Sequence, residues 1–292
     1  MMTITSLDLA FVEQAAKMLE HSSFLMRVST FLGRPIEAAT ERLPDKARSL
    51  ITQSVDRALK GSLRMAVSTL EGGNQESVAT ASQSTPTAKK WVHTAAAMSL
   101  GAISGAAGGW SLVLELPVTT TVMMRSMAAM AQAANFNPRD PEIALEILSV
   151  FAYGSPMVKR GVNIPAESTF FADRAALKML IKESASYVAG KTVRQVLTSL
   201  DVGGAPRLVE FMSILSRRLN FVVSEKFLAQ GLPIIGAAGG AMLNGLFNDY
   251  YSNVAYYVFG LRRLELLYGP EAIRQAYEDA AARLKIDSNP IA

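Results

Sequence analysis

WVHTAAAMSLGAISGAAGGWSLVLELP, residues 91–117, is the stretch on which the fold turns. It carries no charge from Trp91 to Leu114 and ends in Glu115-Leu116-Pro117. Residues 227–249, FLAQGLPIIGAAGGAMLNGLFND, repeat the pentapeptide GAAGG at Gly236 to Gly240 and lead again to a lone acid, Asp249. Gly101, Gly105 and Gly109 are spaced by four, as are Gly236, Gly240 and Asn244. On a helix each set makes a stripe with little side chain, against which a second backbone can pack closely. A helical glycine costs about 1 kcal/mol relative to alanine, so repeated glycines imply close packing in return. The run from Trp91 to Leu114 would rise roughly 36 Å as a helix, enough to cross a hydrocarbon core of roughly 30 Å. Its composition argues against a span, because fourteen of its residues are Gly, Ala, Ser or Thr, which contribute little to insertion. The preferred reading is a helical hairpin buried in its own protein, ahead of one that meets a bilayer conditionally and of a true span.

The rest of the chain reads as successive helices. In the N-terminal segment, Leu9, Val12, Ala16, Leu19 and Ser23 fall on one stripe before Gly33. A helix opens near Pro44-Asp45 and continues through Leu50, Val55, Leu59, Leu63, Val67 and Leu70 to Gly72-Gly73. Residues 72–87 are polar, small and unpatterned, and read as a flexible linker. Val118 to Ala134 reads as a methionine-rich helix, with a strand over Leu112 to Val122 as the lower-ranked alternative. Asp140-Pro141-Glu142 is an N-cap, a first-position proline and an acidic first turn. Pro165 to Leu200 reads as one long amphipathic helix, Arg207 to Gln230 as another, and Gly269-Pro270-Glu271 opens the last. Nearly all of the twelve prolines fall at these boundaries, which points to an all-α, compact multi-helix domain built around the two Gly-rich hairpins. The expected organisation is an N-terminal helical segment 1–71, the linker 72–87, a helical core 88–286 and a tail 287–292.

Composition narrows the chemistry. The 292 residues hold no cysteine, which removes disulfides, thiolate catalysis and Fe–S clusters. Apolar residues make up 50% and charged ones 18%, with a mean hydropathy of +0.21. The net charge is +4, and the excess lies between Asp173 and Lys226. That margin does not imply nucleic acid. The start of the chain, MMTITSLDLAFVEQ, lacks the basic and apolar regions of a secretory signal, so a cytoplasmic location is expected. Only His21 and His93 are available for a triad or a zinc site, and neither has a supporting motif. No metal or cofactor is expected. ASYVAGKT at residues 185–192 matches a permissive phosphate loop, but it sits inside a helical pattern with no strand before it.

The candidate site residues are charges in apolar surroundings: Glu115, Arg125, Asp249 and Arg262, with Asn244 nearby. Mutual pairing is their structural reading, a ligand pocket the sharper one, and acid/base work by Glu115 and Asp249 the least favoured. Met123, Met127 and Met130 could line an apolar cavity or be ordinary core. Arg174, Lys178, Lys182, Lys191 and Arg194 form a basic stripe that could touch anionic headgroups or face solvent.

Two stretches carry a family resemblance. Residues 105–148, GAAGGWSLVLELPVTTTVMMRSMAAMAQAANFNPRDPEIALEIL, and residues 232–269, LPIIGAAGGAMLNGLFNDYYSNVAYYVFGLRRLELLYG, resemble in order the two signatures of the EcsC family. Glu115 stands where that family commonly has aspartate, and Asn135-Phe136-Asn137 replaces its usual Tyr-Gly turn. The resemblance implies a bacterial, mostly helical protein, and it carries over no catalytic residue. The family takes its name from a gene beside an ABC transporter, which makes a membrane protein such as a transporter one expected partner and membrane lipid another. The function expected is a noncatalytic accessory role at the cytoplasmic membrane face. A soluble module enclosing an apolar ligand such as an acyl chain is the alternative, and an enzyme acting on lipid or peptide comes third.

Overall fold

The computed structural model describes residues 3–21, 24, 28, 43–71, 112–153, 169–230 and 236–287. Gly101, Gly105 and Gly109, the linker at 72–87 and most of the first Gly-rich run lie outside these residues. The described residues form helices and no strand: α1 (Ser6–His21), α2 (Asp45–Leu70), α3 (Leu112–Ala133), α4 (Pro141–Ser149), a 3-10 turn (Val150–Ala152), α5 (Thr169–Val188), α6 (Val193–Asp201), α7 (Pro206–Gln230), α8 (Gly236–Tyr268) and α9 (Pro270–Asp287). The all-α expectation is met.

Helix α3 is the centre. It packs between α2 and α8, while α7 joins α2 to α5, α4 lies against α2 and α5, and α1 covers α8 and α9. Each partner offers an apolar stripe at helical spacing. Ile51, Val55, Ala58, Leu59, Leu63, Ala66 and Val67 of α2 are all buried. In α8 the corresponding stripe is aromatic, with Phe247 and Tyr251 5.3 Å apart and Phe151 5.1 Å from Tyr251, both edge to face. The β-branched run that invited a strand reading is helical instead. Thr119, Thr120 and Thr121 donate their hydroxyls to the carbonyls of Glu115, Leu116 and Pro117 at 3.0, 2.9 and 2.9 Å, a back-bond that lets threonine sit within a helix.

Helix ends follow local chemistry. Asn135 takes φ 67° and Phe136 N–H donates to Ala131 O at 3.0 Å, which closes α3. Asp140 Oδ1 accepts from Glu142 N and Ile143 N at 2.8 and 3.4 Å and opens α4 as expected. Asp140→Ala is therefore expected to cost about 1 kcal/mol, read as a lower chemical-denaturation midpoint at unchanged slope.

One reading is corrected. Residues 165–200 do not form one helix: Gly190 at φ +71° stops α5, and Thr192 with Gln195 makes a reciprocal capping box that starts α6. The second Gly-rich run follows the expected end of a helix at Gln230. Residues 227–230 end α7, residues 231–235 lie outside the described residues, and Gly236 and Gly240 form the first turns of α8, which continues for 33 residues. The tyrosine-rich segment belongs to that same helix.

Candidate functional site

A polar seam runs through the apolar centre where α3, α7 and α8 meet. Glu115, Thr119 and Ser126 lie on one side of α3, and Asn244, Asn248 and Ser252 recur every four residues along α8; all six are buried. Ser126 Oγ donates to Asn248 Oδ1 at 3.3 Å. At the Glu115 end the seam receives Lys226 from the last turns of α7. Its side chain is 0% exposed, and its Nζ lies 3.1 Å from Glu115 Oε1. The same ammonium donates to Asn244 Oδ1 and sits 4.8 Å from the centroid of the Phe247 ring. Burial pushes the Lys226 pKa below its usual value, and the Glu115 carboxylate opposes that shift.

This geometry re-pairs the charges expected from sequence. Glu115 is held by Lys226, which the sequence reading left unremarked, and Asn244 does belong with it. Arg125 is exposed on the far side of α3. Arg262 reaches a different cluster, where it pairs with Glu142 at 3.4 Å and with Glu146, and lies 5.0 Å over the Phe136 ring. Asp249 is half-buried one position off the seam and accepts from Asn253 Nδ2 at 2.9 Å. Met123 and Met127 are fully buried in the core.

Lowering a lysine pKa by burial is how enzymes make a nucleophile or base. Here the ammonium is enclosed on the described sides by Glu115, Asn244 and Phe247. Asn244 Nδ2 and Tyr251 Oη are buried with no hydrogen-bond partner among the described residues, and Tyr251 is held neutral far above the usual phenol range by its burial. Among the described residues no group of three or more His, Asp or Glu could hold a metal ion.

On the surface, the basic stripe is partly dispersed. Lys178, Lys182 and Arg194 are exposed, with Met179 65% exposed beside Lys178. Lys191 is half-buried with its ammonium 4.5 Å over the Tyr187 ring. Arg174 turns inward instead, gripping Glu265 through two bonds of 2.6 and 2.9 Å with Glu146 3.9 Å away. The helical register of residues 174, 178 and 182 was right, but it could not show that an acid on α8 captures the first of them.

The protein-family model described as the EcsC protein family matches residues 9–264. No curated protein and no solved structure matches the chain.

Proposed function

The chain belongs to the EcsC family, and from that premise we propose that it is a noncatalytic accessory protein attached peripherally to the cytoplasmic face of a membrane. The observation that carries this reading is on α5, where Lys178 and Lys182 stand exposed one turn apart with an exposed Met179 between them, and Arg194 on α6 is exposed as well. A surface with cations and a projecting apolar side chain suits anionic headgroups over an acyl boundary. Among the described residues no helix is long and apolar enough to cross a membrane, so the reading is one of surface contact.

The test is flotation with vesicles. The protein is expected to float with vesicles containing anionic lipid and to be released by salt near 1 M, where the screening length falls to about 3 Å. Flotation that survives an alkaline carbonate wash would mean insertion, and absence of flotation on anionic vesicles would remove the lipid reading in favour of a membrane-protein contact.

The acyl-ligand alternative stands on Met123, Met127 and Met130, of which the first two are fully buried. Met130 does line an open cleft, of about 270 Å³, between α1, α3 and α8.

A further inference from the structure

That cleft is outside the seam and outside the basic face. Its apolar walls include Phe11, Met130, Leu264 and a half-exposed Tyr256. Gly260 also lines it, and a methyl group there would meet the Phe11 ring and force it to shift. Phe11 itself lies 5.5 and 5.3 Å from the rings of Tyr256 and Tyr257. Asp8 and Arg263 are the two charged residues that line the cleft.

Their states differ. Asp8 Oδ2 accepts from Thr5 Oγ1 at 2.6 Å and from Tyr268 Oη at 2.7 Å, bonds that hold its carboxyl below the usual range and keep it ionised. Arg263 is exposed, and its charge is near enough to help hold the Asp8 carboxyl down. The cleft thus presents an anion and a guanidinium close together on aromatic and aliphatic walls, which is the complement of a compact zwitterion. Asp8 Oδ2 already accepts two bonds while Oδ1 carries none that is described, so the carboxylate offers its charge to any ammonium and the choice falls to the walls. A quaternary ammonium needs no hydrogen bond and is attracted to aromatic faces beside a carboxylate. The guanidinium fork matches a phosphate. The volume, about 270 Å³, falls just below the roughly 300–1,000 Å³ range of ligand pockets, so it accommodates a headgroup and not two acyl chains.

We propose that the cleft between α1, α3 and α8 binds a phosphocholine-type zwitterion, with the quaternary ammonium against Asp8, Phe11 and Tyr256 and the phosphate on Arg263. This rests on the peripheral-membrane reading and names the lipid class it would select. The surroundings of the cleft favour a membrane source. Leu7 lines it at 82% exposure, and the Tyr268–Asp8 bond ties the end of α8, where Leu266 and Leu267 are 74% and 54% exposed, to the start of α1. Leucines there would enter the acyl boundary when the headgroup is seated.

Titration calorimetry of the full chain with soluble phosphocholine tests the chemistry, with choline and inorganic phosphate as the half-ligands. Saturable phosphocholine binding at least tenfold tighter than either half is expected. R263Q should reduce it to the level of choline alone, and Y256L to the level of phosphate alone, each with an unchanged melting temperature. D8N, which also loses its bond to Tyr268, is read only alongside its melting curve, and Y256L keeps the test decisive if it unfolds. Absence of saturable binding, or binding unchanged in both R263Q and Y256L, overturns the proposal. The source is read by flotation on vesicles of equal anionic charge with and without phosphatidylcholine. A gain that R263Q abolishes identifies the membrane headgroup, and no gain with soluble binding intact overturns that source in favour of a free zwitterion. Flotation on anionic vesicles without phosphocholine binding would sink this inference and leave the peripheral reading standing; binding without flotation would do the reverse.

Discussion

Lys226→Met is expected to lower the unfolding free energy by on the order of 3–5 kcal/mol, because it leaves the buried Glu115 carboxylate without its counter-charge. The methionine fills most of the same volume, so packing loss is a minor part of that cost. The double variant Glu115→Leu/Lys226→Met should recover most of the loss, since replacing both members of a buried pair with apolar groups is often neutral or stabilising. Chemical denaturation of the two variants decides the matter: a cost below about 1 kcal/mol for the single variant would mean that water reaches Glu115. Stability should also carry the signature of the lysine with pH. Its folded pKa lies below its ordinary 10.5, so between those two values the unfolded chain binds more protons than the folded one. Wild-type stability therefore rises with pH across that window, and the rise is absent in Lys226→Met. Burial acts oppositely on the tyrosines. Tyr153 is pushed up to about 12, and Tyr251 and Tyr277 are raised well above 10.0, so the folded state retains phenol protons and stability falls above about pH 10 in both proteins. The difference between the two curves isolates the lysine.

The second large effect belongs to the surface. K178E/K182E/R194E is expected to weaken partition onto anionic vesicles by at least about 100-fold. Each cation near an anionic surface contributes roughly 1 kcal/mol, and reversal replaces attraction with repulsion. All three side chains are exposed, so the melting temperature should hardly move. Partition that survives this triple change would place the contact elsewhere, and the cleft between α1, α3 and α8 would become the principal attachment.

What sequence could and could not supply follows the range of the forces involved. Asp140-Pro141-Glu142 was decisive because a cap is a contact over two or three residues, and the structure reproduces it. The start of α2 at Asp45 and of α9 at Pro270 were legible for the same reason. Thr192-Val193-Arg194-Gln195 carries an equally local capping signal, which the continuous apolar pattern from Pro165 to Leu200 concealed. Lys226 was harder. It falls on the buried stripe of Leu215, Leu219 and Val222 at intervals of four, three and four, and a charge on such a stripe is a signal of a buried pair. The identity of its partner could not follow, because Glu115 is 111 residues away and the choice among Lys226, Arg125 and Arg262 depends on how three helices are rotated. The cleft was beyond reach for a related reason: Asp8 and Arg263 meet only through the docking of the first helix on the long one.

That long helix has a mechanical consequence. With 33 residues α8 extends for about 50 Å, and about 28 Å of it separates Asn244 beside the buried lysine from Arg263 at the cleft. A stiff rod pivoting near its glycine end acts as a lever, so a tilt of about 2° at Asn244 displaces the guanidinium by about 1 Å. A repacking around the buried lysine that tilted α8 would therefore be read as a change in the width of the cleft.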